Sequence, residues 1–123
     1  GVARFSFADL CEQPLGASDY LGLARDYHTL IIDRIPVMED ADRNAAKRFI
    51  ALIDTLYDNG VKLMASSDTD PLSLYRATEG FEAHEFKRTS SRLIEMGSES
   101  YLAQAHGRGN SAAGGSSTGL VET

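Results

Sequence analysis

Leu30-Ile31-Ile32 is an uninterrupted apolar run of β-branched and branched residues, and Ile35-Pro36 stops it a few positions later. That pattern predicts a strand covered on both faces, as in a parallel sheet. Asp40 or Asp42 then opens the longest predicted helix, in which Ala45, Ala46, Phe49, Leu52, Ile53, Leu56 and Tyr57 form an apolar stripe at spacings of three and four. Asn59-Gly60 closes it, with Gly60 suited to the left-handed position after a helix. Val61 to Ala65 follows at once as the next strand. A strand, a helix and a strand in immediate succession make a crossover unit, so the two strands pair in parallel and the connection is expected to be right-handed.

The flanking segments extend this unit. Arg4-Phe5-Ser6-Phe7 alternates apolar and polar and reads as a short strand running into a helical turn at Ala8 to Glu12, which Pro14 ends. Ser18 or Asp19 can cap a short helix carrying Tyr20, Leu23 and Ala24. Beyond the crossover, Ser66 to Asp70 is a polar loop, and Asp70-Pro71 is a capping pair for a short helix through Tyr75. Phe81 to Phe86, made polar by Glu82, His84 and Glu85, reads as an edge strand. A last helix is expected from Thr89 to Ala105, interrupted at Gly97, with Leu93 or Ile94, Met96, Tyr101 and Leu102 on its buried side. The predicted fold is α/β, a small mostly parallel sheet of three to four strands flanked by helices. Residues 1–106 form the predicted folded unit, and residues 107–123, rich in Gly and Ser, a disordered tail.

Composition excludes several functions. A net charge of -6 argues against broad capture of nucleic acid or anionic lipid, which needs clustered Lys and Arg. No apolar run approaches the ~20 residues of a membrane-spanning helix. Cys11 is the only cysteine, so neither an intramolecular disulfide nor a cysteine-rich zinc site is available; it reads as a small buried hydrophobe in a reducing, cytoplasmic setting.

Asp33 follows the apolar strand, where a magnesium-binding acid of a nucleotide hydrolase would stand. Its neighbour is Arg34 rather than a second acid, and neither G-x-x-x-x-G-K-S/T nor G-x-G-x-x-G occurs. A strand-end role is the preferred reading. His28, His84 and His106 lack the helical pairing of a zinc site, and no G-x-S-x-G elbow supports a serine hydrolase. Arg88 and Arg92 are one helical turn apart, so their guanidinium groups can meet an anion or a facing carboxylate together. Pairing of Arg92 with Glu95 or Glu99 on its own helix stays open beside the anion-binding reading. Lys47 reads as solvated, and Arg48, next to Phe49, as a partner for another element.

Taken together, FSFADLCEQPLGASDYL, YHTLIIDRIPV, RNAAKRFIALIDTLYDNGVKL and FKRTSSRLIEMGSESYL resemble the C-terminal portion of the ZapE family, bacterial relatives of the mitochondrial AFG-type P-loop (AAA+) ATPases. The resemblance spans about Ala3 to His106. It implies a parent protein that binds and hydrolyses ATP with magnesium and is linked to bacterial cell division, its phosphate loop and Walker B acids lying upstream of this segment. Implied partners are the protein's own N-terminal ATPase part, neighbouring subunits and a division-ring protein. The segment alone is expected to be inactive and to hold no cofactor. Arg92, then Arg88, match the family's R-T-x-S-R-L-x-E-M block, and Arg48 its R-F-I block; Arg92 and Arg88 are the candidate arginine finger or sensor. Gly97 departs from the E-M-Q-S or E-M-R-S run, which predicts a break or bend in the helix. The alternative is a standalone α/β interaction domain with no nucleotide role.

Overall fold

The computed structural model describes residues 1–97. Three strands, β1 (Val2–Ser6), β2 (Thr29–Ile35) and β3 (Lys62–Ser67), form one sheet in the order β1-β2-β3. Both pairings are parallel, with Phe5 opposite Ile32 and Ile32 opposite Ala65. Four helices connect and cover them: α1 (Phe7–Cys11), α2 (Ala17–Asp26), α3 (Arg43–Asp58) and α4 (Phe81–Met96).

Local hydrogen bonds start the first three helices, although α2 begins at Ala17 with Gly16 in the capping position rather than the expected Ser18 or Asp19. Ser6 Oγ accepts from the Asp9 N–H at 3.1 Å while Asp9 accepts from the Ser6 N–H at 3.3 Å, a reciprocal cap that turns β1 directly into α1. Asp19 accepts from the Gly16 N–H at 2.9 Å and opens α2. The Asp42 carboxylate accepts from the Glu39 N–H, also at 2.9 Å, across a single 3-10 turn that leads into α3. After α3, Gly60 takes φ +67°, the left-handed conformation that lets the chain reverse into β3 without a Cβ clash.

Helix α3 is the hub, packing against α1, α2 and α4. Ala46, Phe49, Leu52, Ile53 and Leu56 are fully buried along its inner stripe. The Phe49 ring lies 5.8 Å from Phe7 of α1 and 5.9 Å from Phe86 of α4, so three helices meet at one aromatic cluster. Tyr20 is buried beside it and its hydroxyl donates to the Leu10 carbonyl at 2.7 Å; burial pushes the phenol up to about 12. Cys11 has no exposed surface, and burial raises its thiol to about 12, so it is a neutral packing group at pH 7.

Three expectations are corrected. Phe81 to Phe86 is the start of α4, not an edge strand. Glu82, Phe86, Thr89, Ser90 and Met96 are its buried residues, and the steps of four and three from Glu82 to Phe86 to Thr89 are the helical period that short-range alternation concealed. The last helix therefore begins at Phe81 rather than Thr89; its described part ends at Met96 with Gly97 as the capping residue. Coverage of β2 is uneven as well: Leu30 and Ile32 are fully buried, whereas Ile31, on the opposite face, is half-buried. Tyr101, Leu102, the helix end at Ala105, His106 and the tail 107–123 lie outside the described residues.

One irregularity marks the carboxyl end of β2. The register shifts between Ile32 and Ile35, and Arg34 adopts φ +61°, which costs a residue with a Cβ on the order of 1 kcal/mol. Its N–H donates to Ser66 Oγ at 2.9 Å, and the Asp68 N–H reaches the Ile35 carbonyl at 3.0 Å, so β3 holds the bulge in place. Replacing Phe49 with Ala removes the ring that joins α1, α3 and α4. The expected loss is about 3–5 kcal/mol of unfolding free energy, measured by urea titration.

Candidate functional site

Arg88 and Arg92 do converge, as their spacing on α4 predicts, and what they converge on is Asp54 of α3. Arg92 Nη1 contacts Asp54 Oδ1, while Arg88 Nη2 reaches Asp54 Oδ2 at 3.2 Å, so each carboxylate oxygen receives one guanidinium. Arg88 also pairs with Glu85, one turn earlier, at 2.8 Å. The Arg92 guanidinium carbon stands 4.8 Å from the centre of the Tyr57 ring, and the Tyr57 hydroxyl donates to Glu95 at 2.8 Å. The result is a polar seam between α3 and α4 that alternates in sign from Glu85 to Arg88, Asp54 and Arg92, with Tyr57 and Glu95 at its far end.

The two arginines are not equivalent. Arg92 is 22% exposed and sandwiched between a carboxylate and an aromatic face, whereas Arg88 is 53% exposed and shares its charge between two acids. Shielding from water strengthens both contacts of Arg92 and leaves those of Arg88 screened. Arg92 does not use Glu95 as its carboxylate partner; Glu95 serves Tyr57 instead. Asp54 was the residue the sequence reading missed. Its signal is its place one position from Ile53 and three from Tyr57, at the edge of the α3 stripe that must face α4.

Asp33 is held by Arg4 on the neighbouring strand, through Nε at 2.7 Å and Nη2 at 3.2 Å. The register places Arg4 opposite Ile31 and Ser6 opposite Asp33, so the bidentate pair runs diagonally across β1 and β2. The Arg4 hydrogen bond holds the Asp33 carboxyl below its ordinary value of 3.8, and Asp33 in turn raises the Arg4 guanidinium. Among the described residues no group of three or more His, Cys, Asp or Glu is placed to hold a metal ion. Asp33, engaged twice by Arg4, ties β1 to β2.

The other sequence candidates settle into packing. Arg48 Nη1 donates to the Cys11 carbonyl at 3.2 Å, tying α3 to the C-terminal end of α1, where a cation meets the negative end of the helix dipole. Lys47 is exposed. His28 Nδ1 lies 2.8 Å from Thr29 Oγ1 at the start of β2. No helix among the described residues is long and apolar enough to cross a membrane.

A three-stranded parallel sheet flanked by helices, with an arginine pair carried on α4, makes this a small α/β unit. The chain belongs to the AFG1-like ATPase family, whose profile matches residues 1–105. It is 39% identical over 101 residues to the cell division protein ZapE of Escherichia coli strain K12, covering 82% of this chain and 26% of that protein. It is also 36% identical to lactation elevated protein 1 homolog B of Danio rerio, over 81% of this chain and 26% of that protein. The chain thus spans about a quarter, 26%, of the length of these curated relatives. No solved structure matches it significantly.

Two measurements probe these contacts. Arg92→Ala is expected to lower unfolding free energy by about 1–2 kcal/mol and Arg88→Ala by less than about 1 kcal/mol; a thermal double-mutant cycle pairing Arg92→Ala with Asp54→Ala should return a favourable coupling of ~0.5–1 kcal/mol. For Asp33, the folded state depresses the carboxyl, so its stabilisation is present above the unfolded value near 3.8 and is lost as pH falls through the folded value below it. Melting curves of the wild-type chain and Asp33→Asn should therefore differ at neutral pH and converge at the acid end.

Proposed function

We propose that this chain is the part of an ATP-hydrolysing protein that completes the ATPase core and contributes arginines and an assembly surface, while the phosphate loop is supplied by sequence outside it. The observation that carries this reading is the AFG1-like ATPase match across residues 1–105, set beside the absence of G-x-x-x-x-G-K-S/T from the 123 residues. ATP and magnesium would then be held by the rest of the protein. Arg92, with Arg88 second, would act on the charge that develops at the transferred phosphoryl group, the role that a preorganised guanidinium fills in such enzymes. The ZapE relative is named for cell division, and we extend a cytoplasmic, division-linked role with neighbouring subunits to this chain as part of the same proposal.

A second reading has its own support. Asp54 already engages both guanidinium groups, which is what a structural seam in an interaction domain with no nucleotide role requires. The two readings separate in one experiment on the product of the complete reading frame that encodes this chain. Under the first, that product turns over ATP, and Arg92→Ala cuts turnover by roughly 10³-fold with only a modest fall in melting temperature. Under the second, Arg92→Ala lowers the melting temperature and leaves any turnover unchanged. A reading frame with no phosphate-loop motif upstream of Gly1 would overturn the first directly.

A further inference from the structure

On the face of α4 next to the arginine seam lies a groove of about 540 Å³, bounded on its other side by the segment from Leu72 to Thr78. Its walls are fixed in place. The Met38 N–H donates to the Leu74 carbonyl at 2.7 Å and the Arg76 N–H to the Met38 carbonyl at 2.8 Å, pinning the segment on either side of Tyr75 to the chain that leaves β2. Ser90 Oγ donates to the Pro71 carbonyl at 2.7 Å and ties the same segment to α4. The Tyr75 ring rests on Phe86 at 5.3 Å, forming the groove floor. A cleft held this way is preformed, and a ligand entering it need not order its walls.

Three further observations describe what would fit. In a chain of net charge -6, no residue lining the groove is acidic, while Lys87 brings a positive charge and His84 a ring N–H, both exposed. Glu82, the nearest buried acid on α4, is engaged by Arg43 at 3.5 Å. Leu72, on the rim, is 73% exposed, and Phe81, which shares a helix face with His84, is 69% exposed, so apolar surface extends beyond the cleft itself. Finally, the Tyr75 hydroxyl is buried and has no hydrogen-bond partner, an unmet donor that an incoming acceptor would satisfy.

We propose that this groove docks a short acidic segment of a partner protein that carries one large apolar anchor. The anchor side chain packs between Leu72 and the Phe86 floor, and the flanking carboxylates face Lys87 and His84. The spread of exposed apolar surface favours a peptide over a small free anion, which would leave Leu72 and Phe81 uncovered. The hydroxyl of Tyr75 donates to a peptide carbonyl or carboxylate oxygen after a turn of its own side chain, the pinned backbone staying in place. Charge sets which sequences enter, and the anchor supplies most of the contact area.

The probe is a display library of short random peptides selected on the product of the complete reading frame that encodes this chain, followed by fluorescence anisotropy with the enriched peptide. Enrichment of Asp and Glu around a Leu or Phe is expected, with affinity that falls as salt rises. Lys87→Glu and Leu72→Ser, both at exposed positions, should each weaken binding by about tenfold without changing the melt. Tyr75→Phe should raise the melting temperature of the free chain, because an unmet buried hydroxyl is removed, and weaken the peptide by about threefold. No enrichment, enrichment of basic sequences, binding indifferent to the Lys87 and Leu72 variants, or full displacement by inorganic phosphate with no dependence on the anchor would each overturn the proposal.

Discussion

Parallel pairing on both sides of β2 is the constraint from which the rest of this structure follows. A parallel neighbour cannot be reached by a hairpin, so the chain must leave the sheet, cross over and return at the same end. Each crossing deposits helix against the sheet: α1 and α2 between β1 and β2, and α3 between β2 and β3. Because α3 connects the central strand to an edge, it becomes the surface on which every other helix packs. Phe49 stands at that meeting point, and the burial of Leu30 and Ile32 beneath the helices is what gives the sheet one sealed face.

Charge in this molecule is used chiefly to join elements. Arg4 to Asp33 ties two strands, Arg48 to the Cys11 carbonyl ties two helices, and Asp54 collects Arg88 and Arg92 to tie α3 to α4. The third of these differs from the others in kind. Two cations share one acid beside an aromatic ring; Glu85 pairs with Arg88 from the periphery, and Glu95 accepts from the Tyr57 hydroxyl. An arginine pair held in that way clamps α3 to α4.

The segment after β3 has a position that no local pattern announces. It is drawn under α4 by Met38, whose backbone bonds on both sides of Tyr75, and by Ser90, whose hydroxyl holds Pro71. A groove therefore opens between a loop and a helix that are separated in sequence by only a glycine turn at Gly80, with φ +99°. That groove uses the face of α4 bearing His84 and Lys87 rather than the one bearing Glu85 and Arg88.

What the sequence determined by itself is the crossover unit and its neighbours: the apolar run of β2, the α3 stripe, the Gly60 reversal, the burial of Cys11 and the Asp70 cap before Pro71, although the helix it opens is a single 3-10 turn ending at Ser73 and does not reach Tyr75. These rest on local chemistry, namely periodicity, capping and allowed backbone angles, and they can be read from adjacent residues. The helical start at Phe81 was hidden because six polar-rich residues alternate well enough to mimic an edge strand, and only packing of Glu82, Phe86 and Thr89 against distant elements reveals the period. The partners of the arginines were hidden for a similar reason. Spacing places Arg88 and Arg92 on one face, yet the acid they meet lies 34 and 38 residues away and is chosen by how α3 lies against α4. That choice belongs to the tertiary structure, since a side chain's long-range partner depends on the orientation of two helices and not on either helix alone.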